Sequence, residues 1–153
     1  MNVAFISLAL MTSVSLIRDP VFDSDAGRNF SRELLWTNRV GAYTGTEDAA
    51  FIVDRGDGTL ECVLWPRTYR HDAQAYRGAL PRNTIAIIHT HPIRSPMPSP
   101  QDQMEADRLG IPIYALTPFW ITKAAPNLRW PVIVHRGEWA PRPVAVGQCK
   151  MMP

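Results

Sequence analysis

Residues 84–102 read TIAIIHTHPIRSPMPSPQD and decide how the chain is organised. Residues 84–88 form an almost continuous apolar run, which is typical of a central strand buried on both faces. Ser99 is a favoured N-cap residue, Pro100 suits the first helical position, and Gly110 ends the predicted helix over Pro100–Leu109. A strand, a proline-rich loop and a helix in this order predict an α/β domain.

Two histidines, His89 and His91, follow the apolar run. Side chains two residues apart on a strand point to the same face, so both imidazoles can reach one ion. Asp102, in the first turn of the predicted helix, can add a carboxylate as a third ligand. Three nitrogen and oxygen ligands leave a fourth tetrahedral position for water, and this is the arrangement of a catalytic rather than a structural zinc. The same ligands also suit other divalent metals, so the choice of metal stays open.

The pattern His89-x-His91-Pro92-x6-Ser99-x2-Asp102 resembles the signature H-x-H-P-x6-S-x2-D of the JAMM (MPN+, or JAB-domain) zinc metalloprotease family at every fixed position. The resemblance covers residues 25–126 and implies a mixed central β-sheet flanked by helices. It further implies one zinc ion on His89, His91 and Asp102, with water as the fourth ligand. Family members hydrolyse peptide or isopeptide bonds, so the implied partner is a peptide or protein, such as a ubiquitin-like tail or a crosslinked peptide.

The family also uses an upstream glutamate, in the pattern E-x-x-G before an apolar strand. Glu47 takes that place, and Ala50 stands where glycine is usual. The competing residues are Glu33, inside a predicted helix, and Glu61, inside a predicted strand. The resemblance makes Glu47 the general base and Ser99 the hydrogen-bond donor to the oxyanion.

The remaining elements are predicted from apolar periodicity and turn residues. We expect a helix over residues 25–40 capped by Ser24 or Asp25, a hairpin of strands 49–53 and 59–65, and a surface loop over residues 66–81. Further strands are expected over residues 111–116 and 130–135. The predicted organisation is an apolar N-terminal segment (residues 1–19), one α/β domain (residues 20–140) and a C-terminal tail (residues 141–153).

Residues 3–17 are apolar enough for the core of a secretory signal or an anchor, although no basic residue precedes them. A buried first element or a misassigned start codon would explain the run equally well. The sequence therefore leaves open a cytoplasmic, an exported and a membrane-anchored protein. It also leaves open whether Cys62 and Cys149 pair, since two cysteines are too few for a disulfide framework.

Composition limits the classes of function. The chain has 153 residues, 46% of them hydrophobic and 20% charged, which suits one globular domain. A formal net charge of +2 is too small for a domain that mainly neutralises a phosphate backbone, so no nucleic-acid partner is expected. A non-catalytic MPN-like binding module remains the alternative to a hydrolase, and a DNA-linked role is more remote. His71 is expected in a solvated loop and His135 in a structural role; oligomeric state is open.

Overall fold

The computed structural model describes residues 19–39, 43, 46–66 and 78–152 of the chain. In this part of the chain, two helices and seven strands form an α/β fold around one mixed sheet, with strand order β6-β5-β4-β3-β1-β2-β7. The helices are α1 (Asp25–Thr37) and α2 (Pro100–Leu109); the strands are β1 (Ala49–Asp54), β2 (Leu60–Leu64), β3 (Thr84–Thr90), β4 (Ile113–Thr117), β5 (Trp120–Ala124), β6 (Val132–Arg136) and β7 (Cys149–Met151). The predicted α/β class with a mixed sheet is confirmed.

The sheet is mixed because two of its neighbouring pairs are parallel. β3 pairs with β4 and β2 pairs with β7 in parallel, and the other neighbours are antiparallel. β3 occupies the middle of the sheet, as the apolar run before the histidines predicts.

The two helices cover opposite faces of this sheet. Ile52 of β1 packs in the apolar cluster that contains Leu34 of α1, whereas the adjacent Phe51 packs in the cluster that contains Ala106 of α2. Successive strand residues point to opposite faces, so α1 lies on one side of the sheet and α2 on the other. Burial on both faces explains the apolar character of the central strands.

Element boundaries agree best where capping residues mark them. α2 spans the predicted residues, with Ser99 as its N-cap and Gly110 in the left-handed conformation (φ 70°) at its C-cap. α1 begins at Asp25 with Ser24 as N-cap but ends at Thr37, three residues before the predicted end. Strand β5 is absent from the prediction, because Thr122 and Lys123 interrupt its apolar pattern and its pairing with β4 and β6 defines it.

The C-terminal residues expected to form a tail contribute to the sheet. β7 pairs in parallel with β2, and Cys149 lies directly opposite Cys62, to which it is joined by a disulfide bond. Both cysteines are buried. The sequence does not predict this strand, because β7 has three residues and no apolar alternation. Its extended conformation depends on its pairing with β2.

Three sequence expectations fall outside the described residues wholly or in large part, namely the character of the N-terminal apolar run (residues 3–17), the surface loop over residues 66–81 and the environment of His71. Among the described residues, no helix combines the length and the apolar composition that crossing a bilayer requires.

The disulfide closes a loop of 87 residues, and a crosslink of this kind mainly restricts the unfolded chain. We therefore expect a reductant to lower the free energy of unfolding by about 2–4 kcal/mol. Urea unfolding with and without dithiothreitol measures the change. The double variant Cys62→Ala/Cys149→Ala serves as the control, since its unfolding should not respond to reductant. Two titratable thiols in the unreduced, unfolded protein would contradict the pairing.

Candidate metal centre

Four polar side chains from three separate segments meet at one end of the sheet. Glu47 lies two residues before β1, His89 lies on β3 and His91 directly follows β3, while Asp102 is in the first turn of α2. β1 and β3 are antiparallel neighbours with Ala49 opposite His89, so the segment before β1 runs beside the end of the histidine strand. Strand register therefore brings Glu47 to the histidines.

The histidine rings lie between the two carboxylates. His89 Nδ1 is 3.6 Å from Glu47 Oε2, and His89 Nε2 is 3.4 Å from Asp102 Oδ1. His91 Nε2 is 3.9 Å from Glu47 Oε1 and 3.9 Å from Asp102 Oδ2. The ring centroids are 4.6 Å apart and the ring planes nearly perpendicular. Among the described residues, Glu47, His89 and His91 offer ligand atoms within 4.8 Å of one another, a group that can hold a metal ion.

The chemistry of this donor set fits a divalent metal ion, zinc among them. Both histidine side chains are buried, and His89 Nε2 is a buried atom that makes no hydrogen bond among the described residues. A buried polar atom without a partner is unfavourable, and a bound cation would remove the penalty. The 3.4 Å between His89 Nε2 and Asp102 Oδ1 is close to the spacing of about 3.3 Å between ligands sharing a tetrahedral zinc with bonds of about 2.0–2.1 Å.

His91 is held in the tautomer that metal binding needs. Its Nδ1 lies 2.7 Å from the carbonyl oxygen of Ser95. A carbonyl oxygen only accepts, so Nδ1 carries the proton and donates it, and the lone pair of the neutral ring is on Nε2. The loop that supplies this carbonyl is anchored by Thr122, whose hydroxyl donates to the carbonyl of Pro96 at 2.5 Å.

The start of α2 orients the Asp102 carboxylate. Asp102 Oδ2 accepts hydrogen bonds from the backbone N–H of Ser99 at 2.6 Å and from its hydroxyl at 2.8 Å. The Ser99 hydroxyl accepts in turn from the Asp102 N–H at 3.2 Å, which completes a capping box. These bonds occupy Oδ2, and Oδ1 is the oxygen that faces His89.

The electrostatics of the cluster favour a positive charge. Burial disfavours the charged form of His89, but its close polar contact with Glu47 and the negative charges of Asp102 and Glu47 outweigh burial and raise the pKa of His89. Burial and the neighbouring His89 lower the pKa of His91. The two carboxylates thus attract one cationic charge into the cluster, and a metal ion would meet the same field.

The two competing glutamates have other partners. The Glu33 carboxylate, buried on α1, accepts backbone hydrogen bonds from Gly147 at 2.8 Å and Gln148 at 3.1 Å. Glu61 pairs on the surface with Arg55 at 2.6 Å and with Lys150 at 3.5 Å. Glu33 therefore holds the C-terminal segment and Glu61 lies in a surface ion-pair group, whereas Glu47 faces both histidines.

A search of protein-family models, of curated proteins and of solved structures finds no match for this chain. The metal site is therefore defined by its geometry alone.

Metal-free protein should bind about one equivalent of Zn²⁺ in a calorimetric titration. His89→Ala should weaken binding more than about 100-fold, because loss of even an outer partner of a metal ligand lowers affinity 10–100-fold. His135→Ala is the matched control, since His135 is exposed on β6 at the edge of the sheet and should leave the affinity unchanged. Equal losses in the two variants would contradict a site at His89.

Proposed function

We propose that this protein is a JAMM-type zinc metallopeptidase that hydrolyses peptide or isopeptide bonds. The observation that carries the proposal is the meeting of Glu47, His89, His91 and Asp102, drawn from three segments, with 3.4–3.9 Å between the facing atoms. The order α1, Glu47, β1–β2 hairpin, β3, α2, β4 agrees with that of the family it resembles, in which a helix, a glutamate at the head of a strand, a hairpin, the histidine strand, a helix and a strand follow one another. In this proposal the Glu47 carboxylate and the two histidines take part in the same reaction.

The metal ligands in the proposal are His89 Nε2, His91 Nε2 and Asp102 Oδ1. Within the described part of the chain His89 Nε2 makes no hydrogen bond, the proton on His91 Nδ1 leaves Nε2 to bind, and the capping box occupies only Asp102 Oδ2. These atoms would hold a zinc ion, which when bound would supply a Lewis acid and bring the pKa of water toward neutrality.

Glu47 is the general base of the proposed reaction. Its carboxylate is about one-fifth exposed and lies beside both imidazoles, 3.6 Å from His89 Nδ1 and 3.9 Å from His91 Nε2. There it accepts the proton of the attacking water and returns it to the amine that leaves when the C–N bond breaks. The bond that forms joins the water oxygen to the former carbonyl carbon, so the products are a carboxylic acid and an amine.

Ser99 is the proposed donor to the oxyanion of the tetrahedral intermediate. Its hydroxyl has one hydrogen, which it donates to Asp102 Oδ2 in this structure. Donation to substrate therefore requires the hydroxyl to release Asp102, which keeps its hydrogen bond from the Ser99 N–H. The helix cap and the oxyanion donor are thus two uses of the same side chain.

Glu47→Gln and Asp102→Asn form a matched pair, because each replaces a carboxylate of the cluster by an amide of the same shape. We expect Glu47→Gln to keep its zinc while turnover falls about 10²–10⁴-fold, the contribution of general acid–base catalysis. Asp102→Asn should lose zinc affinity as well as turnover. Cleavage of a peptide library in the presence of zinc, with metal content measured in parallel, reports both quantities.

Retained turnover in Glu47→Gln would contradict the role of Glu47. Zinc below about 0.2 equivalent in protein purified without chelator would favour the non-catalytic module instead.

Ser99→Ala tests the oxyanion role separately. Turnover should fall about 10²–10³-fold, as for other oxyanion donors. Loss of the N-cap should lower the free energy of unfolding by about 1 kcal/mol, which urea unfolding measures independently. A variant with the stability loss and unchanged turnover would restrict Ser99 to its capping role.

A further inference from the structure

The segment that carries Glu47 lies outside the strands, yet both peptide groups that flank Glu47 are hydrogen-bonded. β1 begins only at Ala49. The carbonyl of Thr46 accepts from Asn38 Nδ2 at 2.8 Å, and the N–H of Asp48 donates to the Thr90 hydroxyl at 2.9 Å. Each peptide group is planar, and the two planes meet at the Cα of Glu47. Fixing both planes fixes the direction in which the Glu47 side chain leaves the backbone.

The two side chains that hold these peptide groups also bind each other. Asn38 Nδ2 donates to the Thr90 hydroxyl at 2.7 Å, so both amide hydrogens of Asn38 are in use. Asn38 is 8% exposed and Thr90 is 1% exposed. Buried polar side chains are tolerated where their hydrogen bonds are satisfied, and here those bonds converge on residues 46–48.

The position of Asn38 is not explained by the end of the helix. Asparagine is common after a helix because it tolerates the left-handed conformation. Asn38, the C-cap of α1, has φ −103° and ψ 25°, outside that region. The role specific to asparagine at this position is therefore its pair of side-chain hydrogen bonds, to the Thr46 carbonyl and to the Thr90 hydroxyl.

Thr90 connects this arrangement to the metal centre. It lies between His89 and His91, and alternation along a strand points its side chain to the face opposite the imidazoles. Its backbone N–H donates to the carbonyl of Asp48 at 2.8 Å. The end of β3 and the residue that follows it thus carry the two proposed metal ligands on one face, and Thr90 between them holds the Glu47 segment from the other.

We propose that Asn38 and Thr90 form a polar clamp that positions Glu47 against the histidine pair. Neither residue touches the reacting atoms, so both are positioning residues. The effect on catalysis rests on the proposed hydrolase function, whereas the effect on the position of Glu47 does not.

Thr90→Val tests the clamp, because valine keeps the shape of threonine and removes the hydroxyl. In zinc-loaded protein we expect the Asp48 amide to exchange its hydrogen at least about tenfold faster relative to the Ile52 amide within β1. A crystal structure should show the Glu47 carboxylate displaced from the histidines. Zinc affinity should stay within about threefold, and kcat on a cleaved peptide should fall about 10²-fold with KM unchanged. Thr90→Ser should restore all of these values.

Thr117→Val is the matched control. Thr117 is also fully buried, and its hydroxyl accepts two backbone hydrogen bonds, from Phe119 and Trp120, in the turn after β4. The substitution Thr117→Val should leave the ratio of Asp48 to Ile52 amide exchange and the position of Glu47 unchanged. Asn38→Ala should have the same effects as Thr90→Val. The fold-change in the double variant should be smaller than the two single fold-changes multiplied together, because both residues act through one hydrogen-bond network.

The clamp proposal would be overturned if Thr90→Val and Thr117→Val had the same ratio of Asp48 to Ile52 amide exchange and the same position of the Glu47 carboxylate. Exchange and crystallography require no substrate, so they decide on the clamp even where no peptide is cleaved. Absence of cleavage by the wild-type protein would instead count against the hydrolase proposal.

Discussion

The antiparallel pairing of β1 with β3 is the constraint on which the proposed site depends. Ala49 lies opposite His89, and this register places the residues before β1 alongside the end of the histidine strand. A slip of one residue would turn the alternating side chains of a strand to the other face. Burial on both faces, by the cluster under α1 and the cluster under α2, makes such a slip unfavourable. The apolar core therefore sets the geometry of a polar site.

The site joins this register to the start of a helix. The capping box of α2 orients the Asp102 carboxylate. Its hydrogen bonds with Ser99 involve Oδ2, and Oδ1 faces His89. The loop between the histidines and the helix is anchored at Ser95 and Pro96, by His91 and Thr122 respectively. A ligand set assembled in this way loses little conformational entropy when an ion binds. The polar groups around the ligands are thus part of the metal centre.

The C-terminal segment shows how strongly distant residues decide local structure. Asn29 and Glu33 of α1 hydrogen-bond residues 144–149, and the disulfide fixes Cys149 to β2. Nothing in the short pattern of β7 predicts a strand, because its order comes from partners more than 80 residues away. β5 was missed for a related reason, since Thr122 and Lys123 interrupt its apolar residues and its pairing with β4 and β6 defines it. The helix α2 was predicted to the residue because its signals are local, in Ser99, Pro100 and Gly110.

The sequence by itself determined the features that depend on neighbouring residues. These include the α/β class, the limits of α2, the central strand and the spacing of His89, His91, Ser99 and Asp102. The resemblance pointed to Glu47, and the tertiary structure brought Glu47 rather than Glu33 or Glu61 to the histidines. The tertiary structure alone decided the pairing of Cys62 with Cys149 and the hydrogen bond between Asn38 and Thr90. The physical reason is that capping and strand alternation act over a few residues along the chain. Strand pairing and buried hydrogen bonds join residues that only the packed core brings together.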